Sequence, residues 1–456
     1  MSKRIVIIGA GPAGLTAGLE LLRQNAGYDV IILEAADSVG GLAKTIEWNG
    51  NRFDLGGHRY FSNDQVAWEW WDNIMPMPMT HRHSSIYFNG QYLAYPLRFS
   101  LDTICKLGLG QVLQICWSYL RTHRRKAPVS SLEDFYIARF GKQLYRQFFH
   151  DYTQKVWGHD PALISPEWGP QRMEGVSLSK IISSAFRHHS AEPSLTDSFS
   201  FPAQGCGVLW DKVADQIRQR GGQILTKHQV VDIKRQGDRI REVVCHTPTG
   251  DTRIAGDLFI SSMPLRDLCL SMEEIPASIL SVSNRLYYRD LIVVGVLLDK
   301  SRLQTANCAL ATSQDQWIYV QNQEVRFGRI QIINNWSEHM VKAPKEQLLL
   351  TLEYFCQAGD ALWSTDHSAW TGIITSDLKA TGILTDTNDL LDYSISRVEK
   401  AYPCYWDGYA ALNSIHDYLS TIDNLVLIGR NGRHQYSNMD DVIINAITAV
   451  QQIHGA

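Results

Sequence analysis

The chain has 456 residues, enough for two or three domains, because one hydrophobic core seldom grows past about 250–300 residues. Its composition, 45% hydrophobic and 20% charged, is that of an ordinary globular protein, and a formal charge of −4 offers no concentrated basic face for nucleic acid. The eight cysteines are scattered with no C-x-x-C pair, which argues against a zinc site or redox dithiol, and no metal is expected.

Ile5 to Ile8 is a short β-branched run of the kind found in a buried parallel strand. It is too short before its glycine turn to be a signal peptide, and the later run Leu291 to Leu298 is too short to cross a bilayer. A cytoplasmic protein without an integral membrane segment is predicted. The turn Gly9-Ala10-Gly11-Pro12-Ala13-Gly14 satisfies G-x-G-x-x-G, Leu15 to Gln24 reads as a helix, and Val30 to Leu33 reads as a second strand ending in Glu34. Gly9 makes the tight turn, Gly11 lets backbone approach a pyrophosphate, and Gly14 lets the helix pack on the strand. The helix N-terminus, opened by Pro12, supplies N–H donors to phosphate from Ala13 onward, and Glu34 accepts from ribose hydroxyls.

From Asn63 to about residue 188 the pattern is helical and aromatic. Trp68, Trp70 and Trp71 share one predicted helix, and Leu107 through Leu120 another, which ends in the basic run Arg121 to Lys126. That run reads as a solvated helix end favoured by the dipole, or as a grip for phosphate or a membrane. A helix over Leu209 to Arg218 follows Gly205 and Gly207. A strand pair then spans 229–233 and 240–246, with Val231 a candidate cofactor contact, and another strand runs from Leu258 to Met263. The β-rich stretch from about 284 to 335 suits an antiparallel sheet roofing a substrate site. Asn424 to Ile428, Gly429 and a helix start at Asp440-Asp441 return to the cofactor. The predicted class is α/β. A discontinuous Rossmann-like domain (1–62, 202–268, 396–456) with a parallel sheet is interleaved with a helical substrate or dimerisation domain (63–201) and a β-sheet substrate domain (269–395).

Beyond Glu34, the glycine pair Gly40-Gly41 with Leu42, and the stretch Phe53-Asp54-Leu55-Gly56-Gly57-His58, resemble the FAD-binding half of the amine-oxidase-like flavoproteins. That resemblance favours FAD over NAD as cofactor. Four further stretches resemble UDP-galactopyranose mutase. They are Gly57 to Phe61 with Gly90 to Pro96, Tyr152 to Gly158 with Arg172, Phe201-Pro202 with its glycine turn, and Gly429 to Asp440. Phe327-Gly328-Arg329-Ile330 is a weaker fifth.

The resemblance implies roles. His58 would lie against the flavin, and Trp157 would pack in the nucleotide-sugar pocket. Arg172, Arg329 and Arg430 would neutralise a diphosphate or stabilise the flavin, with His58, Arg172 and Arg430 the catalytic candidates. Tyr402 and Tyr436 would donate hydroxyls to phosphate. Gly429, Asn438, Met439 and Asp440 would bring a helix N-terminus to the flavin. Arginine's planar fork suits phosphate, and phenols add directed donors without charge. The implied activity is pyranose–furanose interconversion of a nucleotide sugar such as a UDP-hexose, through N5 of reduced flavin, with NAD(P)H a candidate reductant and a homodimer a candidate assembly. An FAD-dependent oxidoreductase of the amine oxidase, protoporphyrinogen oxidase or desaturase type shares the same N-terminal half and stays open beside it. His81, His83 and His188-His189 read as solvated or satisfied side chains.

Overall fold

The computed structural model describes residues 2–24, 27–95, 97, 101–124, 128–173 and 198–455. Strand β1 (Arg4–Ile8) passes through the glycine turn into helix α1 (Pro12–Arg23) and returns as β2 (Asp29–Leu33), parallel to β1 in the register Arg4↔Asp29 to Ile8↔Leu33. Helix α2 (Gly207–Gln219) precedes β3 (Gln223–Leu225), and the chain comes back twice more as β4 (Leu258–Ser261) and β5 (Leu425–Leu427). The sheet order is β5-β4-β1-β2-β3, parallel throughout. Ile5, Val6, Ile7 and Ile32 are wholly buried, as expected for strands covered on both faces. The last helix, α3 (Met439–Gly455), packs on α1, as does α2.

Gly14 sets how closely α1 lies on the turn before it. A Cβ there would stand 1.9 Å from the Gly9 carbonyl oxygen, a backbone atom that cannot rotate away. The helix start is therefore held against the C-terminal end of β1.

A second sheet of seven strands has the order 390–403, 288–299, 347–356, 329–332, 317–320, 84–88, 91–94. Its pairs are antiparallel except Trp317–Val320 with Ser84–Phe88, which is parallel. Two expectations change here. The segment 63–201, read as helical, supplies two strands of this sheet, and the strand Leu390–Pro403 runs through the expected boundary at 396. The missed hairpin turns on Asn89-Gly90, both at positive φ (47° and 77°), the Asn-Gly pair that a two-residue hairpin loop prefers. The helix expected across Leu107 and Leu120 is two helices, Leu101–Leu107 and Leu109–Arg124, because Gly108 between them has φ +86°. On the second of them Leu109, Leu113, Trp117 and Leu120 are exposed while Ile115 is buried. Arg125 and Lys126, like His188 and His189, lie outside the described residues.

The expected strand pair is present as Gln229–Gln236 and Arg239–Thr247, extended by Gly250–Ala255 into a three-stranded antiparallel sheet. Among the described residues no helix is long and apolar enough to cross a membrane. Replacing Gly14 by Ala forces a side chain into the α1–β1 contact and should cost about 1–3 kcal/mol, as overpacking does. A denaturant midpoint equal to wild type would show that the turn relaxes freely.

Candidate active site

The glycine turn opens into a cavity of about 630 Å³ at the C-terminal edge of the parallel sheet, where ligands of such sheets bind. Gly9, Gly11, Pro12, Ala13, Glu34, Gly41, Leu42, His58, Val231, Gly429, Arg430, Asn438 and Met439 all line it, so the structure brings these sequence-derived residues together. Gly14 stands behind the wall, and Gly57 and Asp440 face a neighbouring cleft instead. Ser262, Met263, His228 and Lys400 also line the cavity and were not anticipated, since nothing in their local sequence marks them.

An extended dinucleotide fits this cradle. No side chain caps the N-terminus of α1, so its first N–H groups are available to an anion. Gly41 crosses so close to the turn that a Cβ on it would lie 3.1 Å from the Gly11 Cα. Glu34 accepts the Ala10 N–H at 2.7 Å through one oxygen and the Ala36 N–H at 2.9 Å through the other. Its carboxylate is thereby fixed, and each oxygen keeps a lone pair for a ribose hydroxyl.

A second cleft of about 990 Å³ adjoins the first. Leu42, His58, Arg430, Ser437, Asn438 and Met439 line both, so the junction between the two lies beside His58 and the start of α3. Gly57 has no room for a side chain, because the Trp317 ring occupies the space and a Cβ would fall 1.4 Å from it. Burial first, then the positive charges of Arg430 and Arg329, push the His58 pKa down to about 3. Its imidazole is neutral at physiological pH, with Nδ1 unpartnered among the described residues.

The second sheet delivers Arg329 to this cleft. Arg329 is buried directly across the strand pair from Glu353 and forms an ion pair with it. It also donates to the Tyr402 hydroxyl at 2.8 Å. Arg430 donates to the Ser437 carbonyl through Nε at 2.9 Å and Nη2 at 2.7 Å, and to the Ala401 carbonyl at 3.3 Å. Its guanidinium lies 4.7 Å from the Tyr436 ring centroid, and Tyr402 and Tyr436 lie near-parallel with centroids 6.3 Å apart. Burial raises the pKa of Asp440, with Asp441 adding to the effect and a Ser62 hydrogen bond opposing it.

One sequence-derived substrate residue is placed differently. Trp157 is buried among Trp168, Trp406 and Tyr402, behind the cleft wall rather than on it. Arg172 lies in the helix Trp168–Met173, whose Pro170 reaches the cleft, but the Arg172 side chain is outside the described residues.

The profile of the flavin-containing amine oxidoreductases matches residues 12–453. The chain belongs to this family. It presents a glycine-lined cradle beside a separate cleft. Within 170 residues it is 26% identical to a Klebsiella pneumoniae protein named "Probable UDP-galactopyranose mutase", covering 35% of this chain and 42% of that one. Over 81 residues it is 37% identical to an L-amino acid oxidase of Cerastes cerastes, covering 18% of this chain and 12% of the oxidase. The alignments thus span less than half the length of these curated relatives. The fold of a reduced UDP-galactopyranose mutase crystal structure superposes with a TM-score of 0.81 at 22% identity, over 100% of this chain and 94% of that one.

The C-terminal loop of this flavoenzyme hides a second depressed histidine. His434 is fully buried, donates from Nε2 to the Cys404 carbonyl at 3.0 Å, and has its pKa pushed down to about 4, chiefly by burial. The unfolded chain binds this proton below pH 6.5 while the folded one does not, so the stability it confers is present above pH 6.5 and lost as pH falls toward 4. Each such histidine steepens the loss by up to about 1.4 kcal/mol per pH unit. His434→Gln should flatten the decline in denaturation free energy between pH 6.5 and 5, and an unaltered slope would show that His434 titrates normally. For His58, the imidazole resonances should stay at their neutral positions from pH 8 to 5 by NMR, and a midpoint near 6.5 would contradict its enclosure.

Proposed function

We propose that the protein is a flavin-dependent nucleotide-sugar mutase that interconverts pyranose and furanose forms of a UDP-hexose-like substrate. The observation that carries this reading is the chemistry of the cleft beside His58, whose lining includes Arg59, Arg82, Arg329, Arg430, Arg433, Tyr319, Tyr402 and Tyr436. Such a lining suits a polyanion with many hydroxyls. It would be a costly environment for an apolar amine or porphyrin, because buried charge without a partner is penalised. The whole-chain likeness to a mutase supports the reading at the level of fold.

Reduced flavin, when bound, supplies a nucleophilic N5 for the anomeric carbon. The protein's share is binding and electrostatics. The Tyr402 hydroxyl accepts from Arg329, which leaves its own hydrogen for a substrate oxygen. Arg430, held by backbone carbonyls rather than by an acid, keeps a net positive charge at the junction of the two cavities. That charge and the N-terminus of α3 both favour an anionic reduced ring. His58, neutral, packs there without adding charge. The Trp317 ring over Gly57 keeps water from one side of the cleft.

An oxidoreductase is the second reading, favoured by the family match. One assay separates the two. Dithionite- or NAD(P)H-reduced enzyme should convert UDP-galactopyranose to its furanose isomer, read by chromatography, with no net electron change. Steady oxygen consumption with an amine substrate, and no isomer formed, would replace the mutase by the oxidase.

A further inference from the structure

Two arginines of the cleft lie outside the roles assigned so far. Arg59 follows His58, is enclosed by protein on its other sides, and is exposed to the cleft it lines. Arg82 lines the same cleft, half-buried, at the entrance to the strand Ser84–Phe88. The parallel pairing of that strand with Trp317–Val320 positions it, and the neighbouring His83 N–H is fixed by the Gln316 side chain at 2.7 Å.

Neither guanidinium has an acidic partner among the described residues. Arg59 lies over the Phe199 ring at 5.7 Å, and Arg82 over the Tyr95 ring at 5.3 Å with Nε 3.5 Å from the Ser84 hydroxyl. Tyr95 packs in turn against Tyr319, which also lines the cleft, with ring centroids 4.6 Å apart. Burial and then the charge of Arg82 pull the Arg59 pKa down to about 10. The two cations therefore repel each other across the cleft they both line, and an anion between them would relieve that repulsion. By contrast, Arg329 is neutralised by Glu353, and each of the three Arg430 guanidinium nitrogens already donates to a carbonyl oxygen.

We infer that Arg59 and Arg82, flanked by Tyr319, form the anion subsite of the cleft and hold the diphosphate of a nucleoside-diphosphate substrate. The identity of the ligand rests on the nucleotide-sugar reading above, whereas the site rests on these side chains alone. Two planar forks with free N–H edges can grip adjacent phosphates in bidentate fashion. Arg329 then acts mainly to position Tyr402, and Arg430 keeps its charge at the junction of the two cavities.

The test uses flavin-loaded protein titrated by calorimetry with UDP and, separately, with inorganic pyrophosphate. Arg59→Gln and Arg82→Gln should each weaken both ligands roughly tenfold or more, the loss of a charged hydrogen-bonded pair, and the Lys variants should recover part of it. Flavin absorbance reports folding, and if one Gln variant loses its flavin, the other and the Lys variants carry the test. Wild-type binding of UDP that survives both Gln substitutions overturns the subsite and leaves the nucleotide-sugar reading standing. Pyrophosphate binding that depends on Arg59 and Arg82, without UDP binding, keeps the subsite and removes the nucleotide. Binding of neither ligand to wild type overturns the subsite.

Discussion

The cleft depends on one buried ion pair. Arg329 and Glu353 face each other across adjacent strands of the second sheet, both shielded from water. Burial opposes the charged guanidinium most strongly, but Glu353 together with Tyr402 and Tyr152 outweighs it and holds the Arg329 pKa well above its ordinary value. Such a pair tolerates burial only when its remaining hydrogen-bonding capacity is met. The Tyr402 hydroxyl meets part of it at Arg329, and Gln331 donates to Glu353 at 3.0 Å. From this pair follow the placement of Tyr402, its near-parallel partner Tyr436, and part of the positive field that keeps His58 neutral.

The pair also explains what was legible in the sequence and what was not. The cofactor cradle was readable because its constraints are local. Gly9, Gly11, Gly41 and Gly429 record where backbone must turn or pass close to something, and Glu34 stands at a fixed distance from them. The arginines of the cleft were recognisable as candidates, but not their partners. That Arg329 is matched by Glu353 depends on strand register, and that Arg430 is held by the Ser437 and Ala401 carbonyls depends on the path of a loop. Trp157 was placed on the cleft by resemblance and stands behind it, because Tyr402 intervenes. The Asn89-Gly90 hairpin was written plainly enough, yet the surrounding aromatic, helix-like pattern masked it. Arg59 lies within the Gly57 to Phe61 stretch but had no role of its own there, Arg82 carries no local signature, and the structure places both on the lining of one cleft.

The charges of the two cavities are divided in a consistent way. The dinucleotide cavity offers the uncapped start of α1 and backbone passing close by, with Lys400 and Arg430 as its lining cations. Formal positive charge is concentrated in the cleft beyond His58. Of the acidic residues there, Asp440 and Asp441 belong to the first turn of α3, and Asp64 accepts the Val66 N–H at the start of the helix Gln65–Ile74. A neutral histidine between the two compartments lets each hold its own charge.

The parallel sheet is assembled from distant parts of the chain, since β1 pairs with Leu258–Ser261 and that strand in turn with Leu425–Leu427. During synthesis, the nascent βαβ unit must leave the ribosome with one edge of β1 unpaired and wait for β4. The coenzyme cradle cannot close until α3, which carries Met439 to the cavity, has also emerged. Loading of the prosthetic group is therefore expected after translation, and the waiting edge is the surface that chaperones would need to guard.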